Sequence, residues 1–133
     1  MEHVRWTTVV LDCADPLSLA GFWSELLEAE QTRINDDFHV VRSGTTWLAA
    51  ARVPDPQPVT WPDGQRPMQV HLDIAVTNLD AAVAEAIRLG ATQEHVQPAA
   101  DRWRVMRDPA GHVFCLSDRI QEYLPIDLGT ESL

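Results

Sequence analysis

Residues 69–91 read QVHLDIAVTNLDAAVAEAIRLGA, and they hold a complete strand-to-helix transition. From Gln69 to Val76 apolar and polar residues alternate, as they do on a strand with one buried face. Asn78 stands where a helix N-cap belongs. Leu79, Val83, Ala86 and Ile87 then recur at the three- and four-residue spacing of an apolar helical stripe, and Gly90 stands where such a helix stops. A one-faced strand followed at once by a one-striped helix buries both surfaces by packing them together.

The same grammar occurs 63 positions earlier, where Thr8 superposes on His71 and Asp15 on Asn78. Residues 7–13, TTVVLDC, form a β-branched strand that ends at Asp15-Pro16, an N-cap acid followed by proline at the first helical position. Leu19, Phe22, Trp23, Leu26 and Leu27 place one stripe on a helix running to about Glu28. Three short extended segments follow each helix. In the first half they are residues 31–34, 38–43 and 47–53; in the second they are 92–96, 103–107 and 112–117, the last two joined by the turn Asp108-Pro109-Ala110-Gly111.

Each half therefore reads β-α-β-β-β. Module 1 spans about 4–53 and module 2 about 69–118. Between them lies a stiff linker, 54–68, with Pro54, Pro56, Pro58, Pro62 and Pro67 and an Asp63-Gly64 turn; a tail, 119–133, follows. A repeat of this length marks two units that share one core, so the expectation is a single α+β domain over 1–133.

Composition narrows the function classes. At 45% apolar and 23% charged residues the chain is made to fold, not to remain disordered. Its formal charge of −10 repels nucleic acid and anionic membrane surfaces, and neither is an expected partner. All ten basic residues are Arg; without lysine, Schiff-base chemistry is excluded. Cys13 and Cys115 sit inside apolar runs and read as small buried hydrophobes, which points to a reducing, cytoplasmic compartment. Residues 1–5 are polar, and no stretch approaches the roughly 18 apolar residues of a membrane span.

Four segments carry a family likeness: LDCADPLSLAGFW at 11–23, VHLDIAV at 70–76, Leu89-Gly90-Ala91, and RDPAGHVFCL at 107–116. In this order they resemble the vicinal-oxygen-chelate superfamily, the glyoxalase-like proteins that include glyoxalase I, extradiol dioxygenases, fosfomycin-modifying enzymes and bleomycin-binding proteins. The resemblance implies a curved, half-open, eight-stranded mixed sheet with helices on its outer face, enclosing a cavity within one chain or across a homodimer. It leaves the tail outside, where Ile120, Tyr123, Leu124 and Ile126 are expected to cover a partner.

Strand alternation puts Leu72, Ile74 and Val76 toward the helices and His71, Asp73 and Ala75 toward the cavity. The resemblance further implies a divalent ion held from the first and last strands of each module, commonly by His, Gln or Glu. Taken position by position, His71 is a competent ligand and Thr8 a poor one. Cys115 stands where a Glu is expected, and residues 48–50 offer no donor. Three protein ligands are the usual minimum, so no metal cofactor is expected; one that did bind would use His71 and Cys115, with Asp73 nearby.

Without a metal, His71 and Asp73 form a candidate acid–base pair, since a carboxylate stabilises a protonated imidazole. The structural alternative has Asp73 bonded to backbone or to an arginine, with His71 merely lining the cavity. Trp47, Trp103, Thr8 and Arg104 are the candidate ligand-binding residues, and Arg107 is a further cation in reach. Trp23 belongs to the core, and Trp61 is a lid or dimer contact. His3, His39, His95 and His112 have no distinguishing partner spacing.

Three functions remain open. One is binding of a small organic metabolite or drug without metal, by sequestration or His71-dependent acid–base chemistry. Another is a divalent-metal-dependent lyase, isomerase or dioxygenase. The third is a structural dimerisation module whose cavity is filled by side chains.

Overall fold

The computed structural model describes residues 3–60 and 70–125. Trp61, the Asp63-Gly64 turn, Pro62, Pro67, Gln69 and Ile126 lie outside the described residues. The chain divides into two compact units, Met1–Pro58 and Val59–Leu133, each taken by itself below.

The first unit runs β1 (Val9–Cys13), α1 (Pro16–Leu26), β2 (Glu30–Asn35), β3 (Phe38–Ser43) and β4 (Thr46–Arg52). Its sheet order is β1-β4-β3-β2, with β1 parallel to β4 and the other pairs antiparallel. The Asp15 carboxylate accepts the Ser18 N–H at 3.2 Å and caps α1, an interaction of about 1 kcal/mol. Leu19, Ala20, Phe22 and Trp23 are buried on the helix, and Val41, Leu48 and Ala50 are buried in the sheet. The helix stops at Leu26, short of Glu28, because the chain swings to φ 50° at Glu28 and the Ala29 N–H bonds back to the Ser24 carbonyl. The first strand also starts late, at Val9, which leaves Thr8 just ahead of the ladder.

The second unit repeats the plan with β5 (Leu72–Ala75), α2 (Leu79–Arg88), β6 (Thr92–Gln93), β7 (Trp103–Arg107) and β8 (Val113–Ser117), ordered β5-β8-β7-β6. Here β5 runs parallel to β8, and the other pairs are antiparallel. Asn78 caps α2 as Asp15 caps α1, accepting the Ala81 N–H at 3.0 Å. Gly90 has φ 119°, a backbone that only glycine adopts without strain. The eight strands thus form two open, four-stranded mixed sheets, each with one helix, and the class is α+β.

Several expected boundaries shift for visible reasons. The strand expected over 92–96 ends at Gln93 because the Gln97 carboxamide takes the next place on the ladder. It accepts the Val105 N–H at 2.8 Å and donates to the Val105 and Glu94 carbonyls. His112 falls outside β8, its N–H drawn to the Asp108 carboxylate at 3.0 Å. His71 immediately precedes β5. Ile87, expected in the stripe of α2, is 48% exposed, and Leu79, Val83 and Ala86 carry the packing. The described part of the tail, 119–125, leaves Tyr123 and Leu124 exposed. It forms a short 3₁₀ turn, Ile120–Glu122, whose Ile120 is buried, and its Tyr123 reaches Asp73.

Candidate functional site

The site is built on the face of the second sheet that α2 does not cover. In the ladder Asp73 pairs with Cys115 and Cys115 with Val105; one step along, Ala75 pairs with Ser117 and Ser117 with Trp103. Residues two apart on a strand share a face, so Asp73, Cys115, Val105, Ser117 and Trp103 lie on one side of the sheet. Phe114, Leu116 and Met106, all buried, alternate to the other side, where α2 packs.

Three donors converge at one end of this face. His71 Nε2 lies 3.1 Å from Asp73 Oδ1, and one ring nitrogen of His71, one carboxylate oxygen of Asp73 and Cys115 Sγ all lie within 4.8 Å of one another. The second carboxylate oxygen of Asp73 accepts the Tyr123 hydroxyl at 3.3 Å. The side chains of His71 and Asp73 are 32% and 35% exposed, whereas Cys115 is buried. Burial, and then the negative charge of Asp73, push the Cys115 thiol up to about 12. The Tyr123 hydroxyl is also raised, first by burial and then by the charge and hydrogen bond of Asp73.

Tyr123 joins this cluster to a pocket of about 320 Å³ lined by Arg102, Trp103, Ser117, Arg119, Glu122 and Tyr123. Trp103 also packs against the buried cluster of Val105, Val113 and Cys115.

The expected ligand set divides. Trp103 is at the pocket. Arg104 is not brought to it, because it alternates to the helix side, where its guanidinium meets Asp80 of α2 at 3.0 Å. Arg107 is held by Glu94 and by the Gly111 carbonyl at 2.8 Å. Trp47 and Thr8 belong to the first unit. The Trp47 ring there meets the edge of Trp6 at 6.3 Å between centroids, and Arg42 lies 5.3 Å over it. The first-unit positions corresponding to Asp73 and Cys115 are Val10 and Ala49, which offer no donor.

Two histidines without an assigned role have structural partners. His112 Nδ1 lies 3.0 Å from the buried Asp108 carboxylate, and buried His39 meets Gln31 at 3.2 Å. Arg102, Ser117, Arg119 and Glu122 line the pocket without being among the residues the sequence points to, and Tyr123, expected at a partner, is a wall of it. The signal available was the pairing of an arginine and an aromatic on each flank of the β7–β8 hairpin in the chain.

The profile of the glyoxalase-like domain matches residues 8–117. The chain belongs to this glyoxalase-like family. The match ends at Ser117, so Arg119, Glu122 and Tyr123 come from a segment beyond it. The sequence matches no curated protein.

Solved structures share the fold at low identity. A fosfomycin resistance protein from Listeria monocytogenes, complexed with Mn(II) and dihydroxypropylphosphonic acid, aligns at TM-score 0.66 and 16% identity, covering 90% of this chain and 98% of that one. The bleomycin-binding protein of Streptomyces verticillus, complexed with copper(II)-bleomycin, aligns at 0.53 and 22%, covering 86% and 95%. A glyoxalase/bleomycin resistance/dioxygenase family enzyme from Burkholderia phytofirmans aligns at 0.62 and 15%, covering 85% and 97%.

A divalent ion fits the donor types of this glyoxalase-like chain. An imidazole, a carboxylate and a thiol make a three-donor set, and the thiol favours a softer ion such as zinc over one that prefers only oxygen. Binding by Cys115 requires loss of a proton from a thiol held at about 12.

Proposed function

We propose that the second module binds a small organic molecule in the pocket beside Trp103 and Tyr123, with His71 and Asp73 moving a proton at its edge. One observation carries the reading. The imidazole of His71 stands 3.1 Å from a carboxylate whose other oxygen is taken by Tyr123, itself a wall of the pocket. Asp73 thus orients the ring, while Tyr123 orients Asp73. The unfilled volume among these side chains weighs against a purely structural module. The relatives that hold bleomycin or a phosphonic acid show that this fold accommodates small-molecule ligands.

A second reading is favoured by the convergence of His71, Asp73 and Cys115 within 4.8 Å. In it these side chains hold a divalent ion that polarises an oxygen of the substrate.

A thermal-shift screen of small organic molecules, run with and without added divalent metals and paired with metal analysis of the purified protein, separates the two. The proposal expects stabilising ligands that need no metal. A stoichiometric ion that His71→Ala removes would overturn it in favour of the second reading.

A further inference from the structure

We infer that the pocket is built for a small aromatic carboxylate, its acid group held between the guanidinium groups of Arg102 and Arg119. This rests on the reading of the second module as a small-molecule binder and names the class of molecule bound.

The two arginines flank the hairpin in the chain, Arg102 just before β7 and Arg119 just after β8, and the antiparallel pairing of Trp103 with Ser117 brings them to one end of it. A single buried hydroxyl ties both to one point. Ser117 Oγ donates to the Arg102 carbonyl at 2.9 Å and accepts the Arg119 N–H at 3.0 Å, and Ser117 is only 3% exposed. The backbone of each arginine is therefore fixed beside the other's, although their side chains extend to the surface.

Neither guanidinium is committed elsewhere in the way those of Arg104 and Arg107 are. Among the described residues no hydrogen bond or ion pair holds the Arg102 side chain, and Arg119 has a single 3.9 Å contact with its neighbour Asp118. Glu122 supplies the one carboxylate of the lining, and Asp118 beside Arg119 and Asp73 beside Tyr123 add negative charge at its border, so the attraction for an anion comes from the guanidinium N–H donors and not from a surplus of positive charge. That balance suits a monoanion better than a dianionic phosphate. It arises in a chain of formal charge −10, whose long-range field does not favour anions, so the attraction is local to the pocket.

The remaining lining decides the rest of the ligand. Planar guanidinium groups match the two oxygens of a carboxylate, and the rings of Trp103 and Tyr123 offer apolar surface to a flat body. A volume of about 320 Å³ suits an acid of one or two rings. Through Tyr123 the bound molecule would lie next to Asp73 and, behind it, His71.

Isothermal titration calorimetry with naphthoate, its uncharged counterpart naphthylmethanol, and inorganic phosphate tests the inference on the full chain. The wild type is expected to bind naphthoate, with the alcohol about tenfold weaker or more, the usual effect of losing one charged hydrogen bond. Arg102→Gln and Arg119→Gln, both at exposed positions, are each expected to weaken naphthoate about tenfold and to leave the alcohol unchanged.

Equal affinity for naphthoate and the alcohol, or no effect of either substitution, would overturn the carboxylate clamp while leaving a small-molecule binder in place. Phosphate binding more tightly than naphthoate would overturn it in favour of an inorganic anion site. Absence of any naphthoate binding refutes it outright, and the metal-free ligand screen then judges the underlying reading on its own.

Discussion

Alkylation of Cys115 by iodoacetamide is expected to be slow and to keep accelerating far into the alkaline range. The thiolate is the reacting species, and the thiol is held at about 12, against an ordinary value of 9.0. At pH 8 roughly one folded molecule in ten thousand then carries a thiolate, compared with about one in ten for the unfolded chain. The folded protein is expected to react about a thousandfold more slowly than the same chain in urea, before shielding of a side chain only 6% exposed slows it further. Peptide mapping by mass spectrometry, from about pH 7 to pH 11, gives the rate at Cys115 separately from that at Cys13. The slope should be near tenfold per pH unit throughout. Asp73→Asn removes the second cause of the shift and leaves burial, the larger one, so it should raise the rate at fixed pH without restoring that of the unfolded chain.

The linkage has a definite sign. The folded value lies above the unfolded one, so the stability contribution is fully present below about pH 9 and is lost as pH rises toward about 12. The urea midpoint of the wild type should fall across that window, and that of Cys115→Ala should fall less. A rate plateau near neutrality would mean that the thiol is already ionised in the fold. Burial would then not hold the proton on this thiol, and Cys115 would be a ready ligand.

Two further substitutions test the frame around the site. Asp108→Ala removes the acceptor for the Ala110 and His112 N–H groups and for the His112 ring, and should cost about 2–4 kcal/mol in urea unfolding; a loss below about 1 kcal/mol would refute this. Arg104→Ala breaks an ion pair whose Asp80 side chain is 86% exposed and a hydrogen bond to the Ala100 carbonyl, so stability should change by no more than about 2 kcal/mol, and thermal shifts from pocket ligands should be unchanged. Loss of ligand binding in that variant would put Arg104 at the site, against the strand register.

Much of this molecule is legible without coordinates. The two N-caps at Asp15 and Asn78, the apolar stripes and the Asp108–Gly111 turn are local signals, set by hydrogen bonds between residues a few positions apart, and they survive folding unchanged. The alternation that sets His71 and Asp73 on one side and Leu72 and Ile74 on the other is equally local. Less legible are the end of β6, where the Gln97 side chain competes with the backbone for the ladder, and the path of the tail, which buries Ile120 and brings Tyr123 to Asp73. Arg104 follows Trp103 directly on β7, so the same alternation sets the two on opposite faces and only one of them can reach the pocket.

The sequence by itself determined the duplicated βαβββ plan, the family likeness and the absence of ligand residues at the first-unit positions, since these depend on periodicity and residue type. Only the tertiary structure decided that Cys115 stands across the ladder from Asp73, that Ser117 gathers Arg102 and Arg119, and that Tyr123 closes on Asp73. Those are contacts between segments far apart in the chain. They follow from strand register and from the path of the tail, which no local pattern of residues encodes.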